Sequence, residues 1–178
     1  NQGLITAVIE LEEGHLVSIL DVEQILANAF GEAVIFDIAP ARLEGEASVF
    51  FVDDSIVARR KITEVLEKLG VKHKHATNGA EAWVRLQAIA SHAQQSHRSL
   101  HDEISLILVD AEMPEMDGYV LTKNIKADSR FNSIPVVMHS SLSSEANRAM
   151  GKAVGVDAYV PKFDAEQLAD TLRPLLER

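Results

Sequence analysis

From Ser48 onward, short apolar runs alternate with segments of helical spacing, and few folds accept that alternation. The runs are SVFFV (48–52), VKHKHA (71–76, the weakest), ISLILV (104–109), IPVVM (134–138) and DAYV (157–160). Between the first two, Ile56, Val57, Ile62, Val65, Leu66 and Leu69 make one apolar stripe, closed by Gly70 as a helix stop. Ala165, Leu168, Ala169, Leu172, Leu175 and Leu176 make another. A run such as Val49–Val52 is apolar on both of its faces, as in a strand buried within a parallel sheet. Five such strands alternating with helices need right-handed crossovers and cover both faces of the sheet. The expected fold is α/β: a doubly wound five-stranded parallel sheet of flavodoxin-like order 2-1-3-4-5.

In such a sheet, ligands sit beyond the carboxyl ends of the strands, where strand order reverses. In this order that point lies between the first and third strands. The first strand runs into Asp53 and Asp54, and the third into Asp110. Neighbouring carboxylates at the end of a buried strand repel one another and lose solvation. Three in one place need a cation, or must partly protonate. Mg²⁺ is the natural neutraliser, because it takes hard oxygen ligands and keeps several waters. A phosphate oxygen can complete such a half-filled coordination sphere. A phosphoryl group would also need a fixed cation and hydrogen-bond donors. Lys162, in YVPKF, and Ser140 and Ser141, in MHSS, fall at the same rim. Each group alone has an ordinary explanation, as a helix cap, a turn residue or a solvated lysine; the weight comes from all four strand ends together.

The remaining features bound the function class. The chain has 178 residues, 47% of them hydrophobic, which is room for one full domain and a remainder. It has no cysteine, which excludes disulfides, thiolate metal ligands and thiol nucleophiles and fits a reducing compartment. It shows no apolar stretch of ~18 residues and no basic-then-apolar leader, so no direct membrane insertion and a cytoplasmic location are expected. It begins with Asn, and is expected to be a piece of a longer protein. Residues 1–47 hold nine acids and one base, against eighteen acids and sixteen bases in 48–178. So acidic a first quarter argues against nucleic acid as a partner, leaving solubility or docking as its role.

Within that first quarter, LITAVIELEEGHLVSIL reads as two strands around a turn at Glu12–His15. DVEQILANAF reads as a helix with Asp21 as N-cap, Gln24 three residues on and Gly31 at its end. Residues 37–47 have linker composition. Two strands and one helix bury little on their own, so this piece is expected to lean on a second domain or another chain. Residues 80–103 read as one extended helix with a polar tail carrying His92, His97 and His101. The last two are four apart and can share a face, but no carboxylate or cysteine completes a metal set, so the tail reads as a solvated face. Trp83 is expected to pack a helix onto the sheet, and Met113, Met116 and Met138 to fill loop and core space.

VDDS (52–55), LVDAEMPEMDG (108–118), VVMHSS (136–141) and DAYVPKF (157–163) resemble the motifs of response-regulator receiver domains, over about residues 48–178. The resemblance implies that Asp110 accepts the phosphoryl group. The implied Mg²⁺ ligands are Asp54 directly, Asp110, the backbone carbonyl of Glu112 and, mainly through water, Asp53. It also implies that the Ser140 hydroxyl binds the phosphoryl group and shifts on activation, that Lys162 pairs with a phosphoryl oxygen, and that Tyr159 is the aromatic switch rather than a packing residue. The implied chemistry is in-line transfer from a kinase phosphohistidine to an Asp110 oxygen, with Mg²⁺ and Lys162 spreading the charge. Phosphorylation would bias a two-state surface on the last two strands and their helices. Receivers usually carry proline just after this lysine. Here Phe163 follows Lys162 and Pro161 precedes it, so the reach of Lys162 is open. The Glu112 side chain is expected to bear on hydrolysis of the phosphoryl group, in either direction.

Residues 4–30 resemble the end of a CheW-like coupling domain, and a CheW-like domain followed by a receiver is the arrangement of CheV chemotaxis coupling proteins. The implied organisation is a CheW-like fragment at 1–36, a linker at 37–47 and a receiver at 48–178. The implied partners are a chemotaxis histidine kinase and a chemoreceptor array, with a homodimer formed through the fragment's open strand edges. The expected function is phosphorylation-regulated chemotaxis signalling, without enzymatic activity beyond autocatalysed phosphotransfer. Two alternatives stand beside it. A Mg²⁺-dependent phosphatase with an aspartyl-phosphate intermediate usually carries nucleophile and acid two residues apart on one strand, unlike Asp53, Asp54 and Asp110. A receiver acting as an unphosphorylated scaffold needs none of the groups found at the rim.

Overall fold

The computed structural model describes residues 5–10, 16–20, 25, 38–142, 144–162 and 164–177. The chain divides into two compact units, 1–33 and 34–178. In the first, β1 (Ile5–Glu10) and β2 (Leu16–Leu20) pair antiparallel, with Glu10 opposite Leu16 and a register shift between Ile5 and Ala7. The expected turn at Glu12–His15 lies outside the described residues, as does the expected helix over 21–30 except for helical Ile25.

The second unit runs β3 (Ser48–Val52), α1 (Ile56–Leu69), β4 (Lys72–Ala76), α2 (Gly79–Gln95), α3 (Leu100–Glu103), β5 (Leu106–Asp110), α4 (Gly118–Ala127), a 3-10 turn (Ser129–Phe131), β6 (Val136–Ser140), α5 (Glu145–Val154), β7 (Ala158–Pro161) and α6 (Ala165–Leu176). The five strands β3–β7 are all parallel, in spatial order β4-β3-β5-β6-β7. This is the expected 2-1-3-4-5 doubly wound sheet.

Alternate residues of the central strands β3, β5 and β6 feed two cores. Val49, Phe51, Leu108, Val137 and Val160 pack with Ile62, Val65 and Leu66 of α1 and Leu168 and Leu172 of α6. Phe50, Val52, Ile107 and Val109 pack on the opposite face with Leu86 of α2, Leu121 and Ile125 of α4, and Phe131. This two-sided burial is why β3 and β5 read as unbroken apolar runs. Trp83 packs a helix against the second core, its ring 6.3 Å from that of Phe131. Ser55 caps the start of α1, and Gly70, at φ 76°, closes its end in the left-handed conformation.

The expected single helix over 80–103 is instead two. α2 stops at Gln95, His97 takes φ 52°, the Arg98 N–H donates to the Ala93 carbonyl at 2.9 Å, and Ser99 caps α3. QQSHRS has no apolar stripe to bury, so a break there loses no packing, and the turn returns Leu100 and Ile104 to the core. His97 and His101 therefore share no helix, and with His92 they are exposed, as a solvated face requires. β5 and β6 also begin two residues later than expected, at Leu106 and Val136. Ile104 is taken up by the end of α3, and Pro135 has no N–H for the ladder. Residues 38–47 form no helix or strand, as their composition predicts, yet they are stitched down. The Ala41 N–H donates to the Leu69 carbonyl (3.1 Å), the Arg42 N–H to Glu177 (2.7 Å), and Arg173 to the Ala39 carbonyl (3.1 Å). Among the described residues, no helix is long and apolar enough to cross a membrane.

Candidate functional site

The carboxyl ends of β3, β5, β6 and β7 meet at one rim. One oxygen from each of Asp53, Asp54 and Asp110 lies within 4.8 Å of the others, with Asp53 and Asp110 buried and Asp54 exposed. The turn after β3 is tied by short-range bonds: the Ser55 N–H donates to Asp53 Oδ1 (2.9 Å), and Arg59 Nη1 donates to the carbonyls of Asp53 (2.8 Å) and Asp54 (2.9 Å). At the end of β5, α4 presses so closely that a Cβ on Gly118 would lie 2.1 Å from the Asp110 carbonyl oxygen. Only glycine fits there.

Lys162 completes the buried half of the site. Its Nζ is 3.0 Å from Asp110 Oδ2 and 3.3 Å from Asp53 Oδ2, and none of the three side chains is solvent-accessible. Its backbone N–H donates to the Ser140 carbonyl at 2.7 Å, fixing the strand end. The unusual order Pro161-Lys162-Phe163 does not prevent this reach. β7 is an edge strand and Pro161 is its last residue, where proline is tolerated. One lysine does not neutralise two buried carboxylates. Burial first, and then the Asp53 charge, push the Asp110 carboxyl up to about 9, against the pull of Lys162 and of the Glu112 N–H, which donates to Asp110 Oδ1 at 3.0 Å. Three clustered hard oxygens with a deficit of positive charge are a donor set that fits Mg²⁺.

The other half of the rim is a hydrogen-bonded chain. Ser140 Oγ donates to Glu112 Oε1, accepts from the Leu142 N–H (2.9 Å) and lies 3.1 Å from the Leu142 carbonyl. The Ser141 N–H and hydroxyl lie 3.1 and 3.4 Å from Glu112 Oε2. The Tyr159 hydroxyl donates to the same Leu142 carbonyl at 2.6 Å, with the Arg148 guanidinium 5.4 Å over its ring. Tyr159 and Ser140 thus contact the same carbonyl oxygen.

The structure brings the sequence-expected side chains to the rim, and adds one that the sequence reading did not assign. The Glu112 side chain, expected to bear on the phosphoryl group, spans Ser140 and Ser141. His139 is buried in β6 opposite Asp110 in register, and its Nδ1 has no partner among the described residues. Burial and the Lys162 charge hold it far below the usual imidazole range, to about 3. The one available signal was a histidine interrupting the apolar run VVM.

The family model of the response regulator receiver domain matches residues 49–173. The chemotaxis protein CheV3 of Helicobacter pylori is 32% identical over 181 aligned positions, covering 100% of this chain and 57% of CheV3. The chain spans about half the length of the CheV relatives it matches. Among solved structures, the chemotaxis response regulator CheY4 of Vibrio cholerae aligns with a TM-score of 0.59 at 28% identity, covering 74% of this chain and 100% of that one. The receiver domain of the histidine kinase CKI1 of Arabidopsis thaliana, complexed with Mg²⁺ and BeF₃⁻, aligns with a TM-score of 0.64 at 25% identity, covering 74% and 91%. The chain therefore belongs to the response-regulator receiver family, and along its length it is similar to about half of each of three CheV chemotaxis proteins of Helicobacter pylori.

Proposed function

We propose that this chain is the phosphorylation-regulated part of a chemotaxis coupling protein, taking a phosphoryl group from a histidine kinase onto Asp110. The observation that carries this reading is the Lys162 ammonium within 3.3 Å of both buried carboxylates, with Asp54 open at the rim. An Asp110 carboxylate oxygen attacks phosphorus in line. The P–N bond to the kinase imidazole breaks, and the imidazole leaves with the electron pair; the product is an acyl phosphate. Lys162 holds the Asp110 carboxylate in place and offsets one phosphoryl oxygen, while the Ser140 hydroxyl donates to another. Asp54 directly, Asp53 through water and the Glu112 backbone carbonyl would hold Mg²⁺, which supplies positive charge against the remaining phosphoryl oxygens when bound. Ser140 and Tyr159 share the Leu142 carbonyl, so movement of one is felt by the other, and the β6–β7 face carries the change outward.

Residues 1–36 act as the end of a CheW-like coupling domain, 37–47 join it to the receiver, and the partners are a chemotaxis kinase and chemoreceptor array in the cytoplasm. The fragment pairs with a second copy, and light scattering that stays monomeric across concentrations refutes that pairing. For the central reading, the protein is incubated with Mg²⁺ and a small-molecule phosphodonor. An acid-stable, base-labile phosphoryl group is expected on the parent protein and not on Asp110→Ala. Equal labelling of both overturns Asp110 as acceptor, and turnover of a free phosphate ester points to a phosphatase.

A further inference from the structure

Three polar groups at the rim converge on one side chain that the phosphoryl chemistry does not need. Glu112 Oε1 accepts a hydrogen bond from the Ser140 hydroxyl, and Glu112 Oε2 faces both the N–H of Ser141 (3.1 Å) and its hydroxyl (3.4 Å). A serine hydroxyl has a single proton to give. While it points at Glu112, it is not available to a phosphoryl oxygen on Asp110, two residues away. We propose that the Glu112 carboxylate is a resident competitor of the phosphoryl group: it occupies the Ser140 and Ser141 donors and must release them before the phosphorylated state is complete. This deepens the function proposed above and rests on it.

The chemistry of the two ligands is alike. A carboxylate and a phosphoryl group each present anionic oxygens to the same hydroxyl and amide, and hydrogen bonds to charged groups are the stronger ones. The competition also has a readout beyond the site. Ser140 Oγ and the Tyr159 hydroxyl both contact the Leu142 carbonyl, at 3.1 and 2.6 Å. Drawing Ser140 off Glu112 therefore moves the group that anchors Tyr159. Glu112 is a positioning residue in this scheme: it sets how readily Ser140 moves and touches no reacting atom.

The test follows the phosphoryl group and the donors separately. With Mg²⁺ and a small phosphodonor, Glu112→Ala is expected to raise the labelling rate of Asp110 roughly tenfold, the weight of one charge-assisted hydrogen bond. Glu112→Gln keeps an acceptor oxygen and loses the charge, and falls between Glu112→Ala and the parent. Removing a negative charge from an acidic rim could raise the rate by itself, so the same substitution is made with Ser140→Ala. A competitor acting through Ser140 loses most of its effect in that background, whereas a full effect there means charge alone and overturns the proposal. Without Mg²⁺ or phosphodonor, the Ser141 amide is expected to exchange with solvent severalfold faster in Glu112→Ala, as seen by NMR. Unchanged exchange also overturns the proposal. Equal labelling of the parent and Glu112→Ala rejects the competitor and leaves Asp110 as acceptor, whereas absence of labelling in every variant rejects the proposed function as well.

Discussion

In the charged half of the rim, Asp53, Asp110 and Lys162 have no side-chain surface in solvent, while in the hydrogen-bonded half the buried Ser140 is joined to an exposed Ser141 and a half-buried Glu112 and Tyr159. The helices behind them differ in the same sense. α1 buries Ala58, Ile62, Val65, Leu66 and Leu69, whereas α5 buries only Gly151 and leaves Met150 52% exposed. The first half is a charged cradle clamped into a packed core, where a charge that loses its partner has nowhere to relax. The second is held by a few partly solvated hydrogen bonds worth about 1 kcal/mol each, and can rearrange. A receiver needs both: a fixed place for the chemistry and a loose place to register it.

The comparison breaks most visibly at Lys162. Lys162→Met removes the cation that faces the buried Asp53 and Asp110 carboxyl groups and leaves their remaining negative charge unbalanced, which is expected to cost about 3–5 kcal/mol in urea unfolding at neutral pH. A loss under 1 kcal/mol would mean that the cradle is far more hydrated than its burial indicates. Packing gives the next contrast. Ile62→Ala in α1 should cost ~2–4 kcal/mol, while Met150→Ala in α5 should stay within ~0.5 kcal/mol. Equal losses would erase the distinction between the helices.

Protonation sharpens the cradle side. The Asp110 carboxyl is raised from about 3.8 to about 9, so its contribution to stability is fully present below pH 3.8 and is lost as pH rises through 9. His139 is depressed, so its contribution is complete above pH 6.5 and is lost as pH falls toward 3. Between pH 7 and 9 only Asp110 acts of the two. Stability without Mg²⁺ should fall there by up to ~1.4 kcal/mol per pH unit. Asp110→Asn should flatten the slope, and added Mg²⁺ should oppose it; a slope unchanged by Asp110→Asn would assign it to other groups. A smaller effect than at Lys162 or Ile62 is expected at Gly151, where a Cβ would lie 2.9 Å from Tyr159 Cδ2. Gly151→Ala should displace the Tyr159 ring, weaken its bond to the Leu142 carbonyl and cost about 1 kcal/mol, with the ring shift visible by NMR.

Much of the cradle was legible before any coordinates, for a physical reason. The chemistry sits where apolar runs stop, and the stop is written in adjacent residues: FFV before Asp53 and Asp54, LILV before Asp110, VVM before His139 and Ser140, YVP before Lys162. The break at His97 was not legible, because a helix and a turn bury equally little of QQSHRS. The anchoring of 38–47 was hidden too, since its partners Leu69, Arg173 and Glu177 lie far along the chain.

Strand periodicity and helical stripes are local, so the sequence alone determined the doubly wound sheet and the set of groups delivered to its rim. Which of those groups touch was decided only by tertiary structure. That Lys162 reaches both Asp53 and Asp110, and that Glu112 turns to Ser140 across 28 residues of chain, depends on how the strand-end loops lie against one another in space. No spacing along the chain encodes that contact.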